Sequence, residues 1–312
     1  MRKILMQIAV FAFNRPDLLQ RTLTALAAND LADKASVTCF CDGPRREKDE
    51  PGTRAVRELA KKAQGFASVE VVERPKNMGC AASIIDGLTE MFRLHERLIV
   101  IEDDIVTSPY TLRFLSEGLT RYADNENVFN IAAWTPPHIA QNLPADYPYD
   151  VYATPRFNCW GWASWRDRFQ DIDWSVKDYQ IFKNAPQLRK AFNAGGDDLS
   201  LMLDDQMQGK IDAWDIRADY ARFKKNMLGI NPVRSYALNI GMGSGTHTTT
   251  ATTYWDSDIS LAMEHPRFME DVSIDARILE TYLACYKGQK RSLPVRAINK
   301  LSRMLSGKNL IP

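Results

Sequence analysis

The feature that most constrains this chain is the regular exchange of strand-like and helix-like segments over roughly its first hundred residues. A continuous apolar run at 4–13 gives way at Pro16 to a helical pattern with Leu19, Leu23 and Leu26 on one face. Residues 37–41 (VTCFC) are β-rich and stop at Asp42-Gly43-Pro44, a turn signal. A charged helix is expected over 53–64, a short strand at 69–72 and a helix at 81–92. A fourth strand at 98–101 ends abruptly in three acids, Glu102, Asp103 and Asp104. Such alternation builds a mainly parallel sheet with helices on both faces, whose ligands bind beyond the carboxyl ends of the strands. Phe13-Asn14-Arg15, Asp42-Gly43 and Glu102-Asp103-Asp104 all fall at those ends, and this shared placement weighs more than any one motif.

Beyond the acids the pattern loosens. A helix at 109–122 and a strand at 128–133 are expected, then an irregular proline-marked stretch from Pro136 to Pro155. An aromatic segment at 157–165, a polar helical segment at 199–225, a strand at 233–240 and a glycine-rich loop at 241–247 follow. The expected organisation is a nucleotide-binding half at 1–105, an acceptor-binding and catalytic half at 106–250, and a basic helical tail at 251–312. With 45% apolar residues, the chain can bury the core of one large α/β domain or two joined halves. Its 40 basic and 39 acidic residues balance to +1, which argues against a nucleic-acid binder. Five scattered cysteines with no C-x-x-C pair fit a reduced, cytoplasmic protein and supply no zinc spacing. The N-terminal apolar run is too short to span a bilayer and lacks a cleavage site, so it reads as a buried strand.

Three adjacent carboxylates at a strand mouth repel one another, and a divalent cation removes that cost. Mn²⁺ or Mg²⁺ would suit, since both take carboxylates completed by phosphate oxygens and water. The segment 73–79 follows the third strand and opens a helix with small residues. It offers amide N–H groups and the basic Arg74 to a phosphate, although Asn77-x-Gly79 alone is usually only a turn. Asp42 is either an acceptor for a nucleobase or ribose or a turn former.

Taken together, residues 11–16 (FAFNRP), Asp42-Gly43, Asn77-x-Gly79 and Glu102-Asp103-Asp104 resemble the GT-A glycosyltransferases. More narrowly, they are similar to the group around N-acetylglucosaminyltransferase I and bacterial surface-glycan transferases. The resemblance covers roughly residues 4–250 and lies in order and spacing. It implies a nucleotide-sugar donor contacted by Phe13, Asn14, Arg15, Asp42, Arg74, Asn77 and Gly79, with Asp104 on the metal. Glu102 and Asp103 would face ribose and sugar hydroxyls. The triplet is E-D-D, not a strict D-x-D, so the division of labour among the acids stays open.

Trp160-Gly161-Trp162 reads either as core or as an aromatic loop facing donor sugar and acceptor, and the family's aromatic-glycine loops favour the second. Displacement at an anomeric carbon needs a carboxylate to take the acceptor's proton. Asp205 and Asp212 are seven apart and share a face if the helix is continuous. Asp212-Ala213-Trp214 resembles the element that supplies the base in the named group, which favours Asp212, with Asp205 and Asp215 behind it. His247, after the glycine-rich run, resembles the late histidine that many GT-A enzymes place on the metal or diphosphate. The tail from residue 284 carries bases and no acid, and past Pro294 its spacing suits either a helix on an anionic membrane surface or one packed on the body.

The expectation is an inverting, metal-dependent transferase moving a sugar from a UDP-sugar to a glycan or lipid-linked acceptor such as lipopolysaccharide. It would be cytoplasmic, with a place at the inner face of the cell membrane if the tail binds there. Rivals are a sugar-phosphate nucleotidyltransferase, though the first loop lacks a glycine-rich triphosphate grip, and a non-catalytic carbohydrate-binding protein.

Overall fold

The computed structural model describes residues 6–242 and 254–287. His247, most of the glycine-rich loop and the basic tail beyond 287 lie outside the described residues. The first hundred residues form β1 (Met6–Ala12), α1 (Pro16–Ala27), β2 (Ala35–Cys41), α2 (Glu50–Lys61), β3 (Ser68–Glu73), α3 (Cys80–Leu94) and β4 (Arg97–Glu102). Pro16 and Pro51 sit in the first turns of α1 and α2, where a missing N–H costs nothing. Next come β5 (Ile105–Thr107), α4 (Thr111–Arg121), β6 (Val128–Ala132), β7 (Val151–Thr154), β8 (Trp162–Trp165) and α5 (Arg166–Phe169). The chain continues with α6 (Tyr179–Lys183), α7 (Pro186–Phe192), α8 (Leu199–Met207), α9 (Asp215–Lys224), β9 (Leu228–Pro232), β10 (Ala237–Asn239) and α10 (Ala276–Lys287).

One eight-stranded sheet, in the order β3-β2-β1-β4-β8-β6-β9-β7, runs through both halves. β3, β2, β1 and β4 are parallel, β8 runs against both its neighbours, β6 and β9 are parallel, and β7 closes the edge antiparallel. The fold is therefore α/β, with a parallel first half merged into a mixed second half. Strand alternation divides the core between the two faces. Ile8, Val10, Ile99 and Ile101 pack with α1, α2 and α4, whereas Ala9, Phe11, Leu98 and Val100 pack with α3 and α9. A third cluster, Tyr179, Phe182, Phe192, Leu203 and Tyr220, holds the small helices together as a lobe beside the sheet. Among the described residues, no helix is long and apolar enough to cross a membrane.

Several expectations shift. The segment 199–225 is not one helix: α8 stops at Met207, Gly209 turns with φ 68°, and α9 begins at Asp215. The expected strand at 233–240 shrinks to β10, which leaves the main sheet and pairs with β5. Its place in the sheet goes to β9, whose Gly229, Asn231 and Pro232 disguise it as loop. β8 hides in the aromatic segment. Because it is antiparallel to β4, with Val100 opposite Trp162, its N-terminal end lies at the carboxyl end of β4.

Candidate active site

The acids that follow β4 occupy a turn before β5. The main chain of that turn is held at two points: Thr22 Oγ1 donates to the Asp103 carbonyl at 2.9 Å, and Ile240 N–H donates to the Asp104 carbonyl at 2.8 Å. Asp103 is buried and Asp104 is partly open. The Arg15 guanidinium lies between them, its Nη2 on Asp103 Oδ1, its Nε 3.4 Å from Asp103 Oδ2 and its Nη1 2.9 Å from Asp104 Oδ2. Burial drives the Glu102 carboxyl well above the usual range, and the charges of Asp104 and Asp103 add to it. The Asp103 carboxyl is pushed up to about 6, burial outweighing the favourable Arg15 charge. Burial works against the Arg15 cation, but Asp103 and Asp104 override it and hold the guanidinium firmly charged.

Two cavities meet at this turn. The first, about 310 Å³, is lined by Phe13, Asn14, Arg15, Asp42, Asn77, Glu102 and Asp103, with Arg45, Arg46 and Lys48 at its side. The second, about 710 Å³, holds Asp104, Trp160, Asp205, Lys210, Asp212, Asp215 and Asn239. Arg15, Cys80 and Glu102 belong to both, so they form the wall between the two spaces. This pairing of a cation-edged cleft with an acid-lined cleft has room for two ligands that meet at Glu102, with Asp104 on the second side of the wall.

Asp42 is more committed than its sequence setting suggests. Gly43 N–H and Met78 N–H donate to its Oδ1 at 3.0 Å each, and Asn77 Nδ2 and Met78 N–H donate to Oδ2 at 2.9 and 3.1 Å. Burial raises its carboxyl while those backbone donors pull it back. The Asn77-Met78-Gly79 loop therefore grips Asp42. The N-terminus of α3, expected to meet a phosphate, instead presents Ala81 N–H to Asp212 Oδ2 at 3.3 Å. Gly79, at φ 87°, makes this approach possible, since a Cβ there would stand 3.2 Å from the same oxygen.

The remaining sequence candidates divide. Trp160 is half-buried at the second cavity, edge-on to Trp134 with centroids 4.6 Å apart. Trp162 does not face either cleft. It is fully buried, stacked on Phe169 at 4.9 Å and beside Trp214; β8 begins only at Trp162, and the chain between the two tryptophans turns at Gly161, where φ is 70°. Gly161 links the two, its carbonyl accepting from Ala133 N–H at 2.7 Å. Arg74 also lies away from both cavities, paired with Asp86 and set 5.4 Å over the Phe40 ring. Asp205 is at the cavity edge in a 2.9 Å ion pair with Lys210. Asp215 starts α9, with the Cys159 thiol 4.0 Å away. Asp204 and Asp198 are taken by Arg189 and Arg156 in two-point pairs.

Sequence reading missed Arg45, Arg46 and Lys48. Their signal was the run Arg45-Arg46-Glu47-Lys48 immediately after a strand-end turn, which is where a cleft for an anionic ligand would need cations. Arg45 lies 5.7 Å over the Phe13 ring and donates to Asn77 Oδ1 at 3.3 Å.

No model of a known protein family matches the chain, nor does any curated protein sequence. Solved structures similar to part of it include a mannosyltransferase from Pyrobaculum calidifontis in complex with GDP-Man and Mn²⁺, at 18% identity and TM-score 0.37, covering 52% of this chain and 44% of that one. TarS of S. aureus is similar at 11% identity and TM-score 0.37, over 55% of this chain and 30% of that one. Its 1–349 fragment matches at 11% identity and TM-score 0.34, over 57% and 50% of the two chains. The chain thus spans half or less of each of these structures, and overlaps so partial assign neither chemistry nor ligand.

Proposed function

We propose that the chain is a glycosyltransferase of the N-acetylglucosaminyltransferase I-like type, transferring a sugar from a nucleoside diphosphate donor, a UDP-sugar by the resemblance, to a glycan or lipid-linked hydroxyl. The observation that carries this reading is the meeting of the two cavities at Arg15 and Glu102, with the Asp104 and Asp212 carboxylates lining the second cavity. The first cavity takes the nucleotide: Phe13 supplies an aromatic face, and Arg45, Arg46 and Lys48 supply positive charge toward phosphate oxygens. The second takes the acceptor, with Trp160 as a stacking face for a sugar ring.

The residues fit a hard divalent cation. Glu102, Asp104, Asp212 and Asp215 share the second cavity with two cations, of which Lys210 is already paired with Asp205. Burial and neighbouring carboxylates push the Cys80 and Cys159 thiols up, so the oxygen ligands are the available ones. Among the described residues, no three His, Cys, Asp or Glu side chains converge to hold an ion unaided. Asp104 would hold the cation together with diphosphate oxygens, with His247 as a second protein ligand, and the ion would stabilise the departing diphosphate.

Asp212 accepts the proton of the acceptor hydroxyl as its oxygen bonds the anomeric carbon, while the bond from that carbon to the diphosphate breaks. The N-terminal N–H of α3 keeps the carboxylate oriented. A carboxylate base opposite the leaving group gives inversion. The halves at 1–105 and 106–250 serve donor and acceptor respectively. A cytoplasmic enzyme acting at the inner membrane face, through the tail at 251–312, suits a lipid-linked acceptor.

The test is release of nucleoside diphosphate from a panel of UDP-, GDP- and dTDP-sugars with Mn²⁺ and mixed glycan acceptors. One donor should turn over, and Asp212→Asn should lower kcat by roughly 100-fold or more. Turnover of a nucleoside triphosphate with a sugar phosphate would instead favour a nucleotidyltransferase, and an unimpaired Asp212→Asn would move the base to Asp215.

A further inference from the structure

Asp103 differs from the acids on either side. Both of its oxygens face Arg15, its carbonyl is held by Thr22, and its side chain is only 4% exposed. Its carboxylate is thus committed first to Arg15. Arg15 reaches past it with Nη1 to Asp104 Oδ2 at 2.9 Å, and the same guanidinium borders both cavities. A Cβ on Gly241 would fall 2.1 Å from Asp104 Oδ2, so the main chain at Gly241 packs directly on the carboxylate from the other side. Asp104 Oδ2 is thus an oxygen that a guanidinium already holds and that a metal ion seated on this carboxylate would contest.

We propose that Asp103 serves as the anchor of Arg15, and that Arg15 couples the binding of cation and nucleotide. This rests on the glycosyltransferase reading given above. A cation that takes Asp104 Oδ2 displaces Arg15 Nη1 by like-charge repulsion. Pinned by Asp103, the guanidinium stays in the wall between the cavities and turns its released N–H groups to the donor's diphosphate, an oxygen pattern that its fork matches. A diphosphate likewise draws Arg15 from Asp104 and opens that oxygen to the cation. By linkage, each ligand tightens the other by the same factor.

The experiment measures Mn²⁺ binding from the electron paramagnetic resonance signal of the free ion, with no nucleotide and then with UDP, GDP or dTDP. Wild type, Arg15→Met, Arg15→Lys and Asp103→Asn are compared, each checked for folding by its melting curve. The proposal expects Arg15→Met to bind Mn²⁺ alone about tenfold more tightly, while the tightening produced by the diphosphate falls about tenfold. Arg15→Lys keeps the charge without the fork and should fall between, which preserves the test if the Met variant does not fold. Unchanged affinity for Mn²⁺ alone and unchanged coupling in both Arg15 variants would overturn the proposal. A wild type that binds no diphosphate with Mn²⁺ is a different result: it removes the transferase reading and this proposal with it.

Discussion

At Asp42 the donors of two loops converge on one carboxylate, and the physical consequence is rigidity. Gly43, Asn77 and Met78 all donate to it beside the first cavity. Asp42→Ala would take the carboxylate from these part-buried donors, at a cost of about 1–2 kcal/mol by urea unfolding; a loss below about 0.5 kcal/mol would deny the grip. The two tryptophans separate in the same way. Trp162→Ala should lose about 3–5 kcal/mol of stability. Trp160→Ala should leave stability nearly intact and raise the acceptor KM. Glu102 carries a pH signature. Its carboxyl is held above the usual range in the folded chain by burial and by Asp104 and Asp103, so its ionised form costs stability once pH exceeds the unfolded value. Glu102→Gln should therefore melt higher at pH 7.5 without added cation, by about 1 kcal/mol or roughly 2–4 °C. That advantage should fade as pH falls toward about 4, where the unfolded carboxyl also protonates.

At the scale of elements, the parts legible in sequence were those where one physical signal spoke alone. β1 and β4 are apolar runs buried on both faces, and acids mark the end of β4, so strand, end and candidate site were read together. The second half was less legible because its signals conflict. β9 carries glycine, asparagine and proline inside a buried strand, and β8 is a four-residue strand among aromatics. Periodicity also could not reveal the break at Gly209, since the polar residues of α8 and α9 continue through it. That break nevertheless brings Asp212 to α3, a contact no helical-wheel argument would give. Trp162 was illegible for a related reason: the turn at Gly161, with φ 70°, and the start of β8 just after it send this side chain into the core, and neither has a sequence signal apart from the glycine itself. Gly79→Ala tests the element contact. The φ of 87° and the approach of Asp212 make it strained, so we expect about 1–2 kcal/mol of destabilisation and a fall in kcat with little change in donor KM.

Over the whole molecule, a chain of nearly neutral net charge divides its charges between two neighbouring spaces. Arg45, Arg46 and Lys48 edge the first cavity, proposed for the donor, whereas the second, proposed for the acceptor, gathers Glu102, Asp104, Asp205, Asp212 and Asp215. Donor affinity should accordingly weaken with salt, and neutral sugars should be preferred as acceptors over uronic acids or phosphorylated sugars, read as a ratio of kcat/KM. The single sheet places both spaces along one line of strand ends, because β8 runs antiparallel and returns its entry to the mouth of β4. The most direct test of the account is calorimetric titration of UDP, GDP and dTDP with Mn²⁺, repeated in EDTA and with Asp104→Asn. The account predicts that one diphosphate binds with Mn²⁺, and that this binding is lost both in EDTA and in the variant. Absence of binding by every diphosphate, or equal binding with and without Mn²⁺ and Asp104, would contradict it.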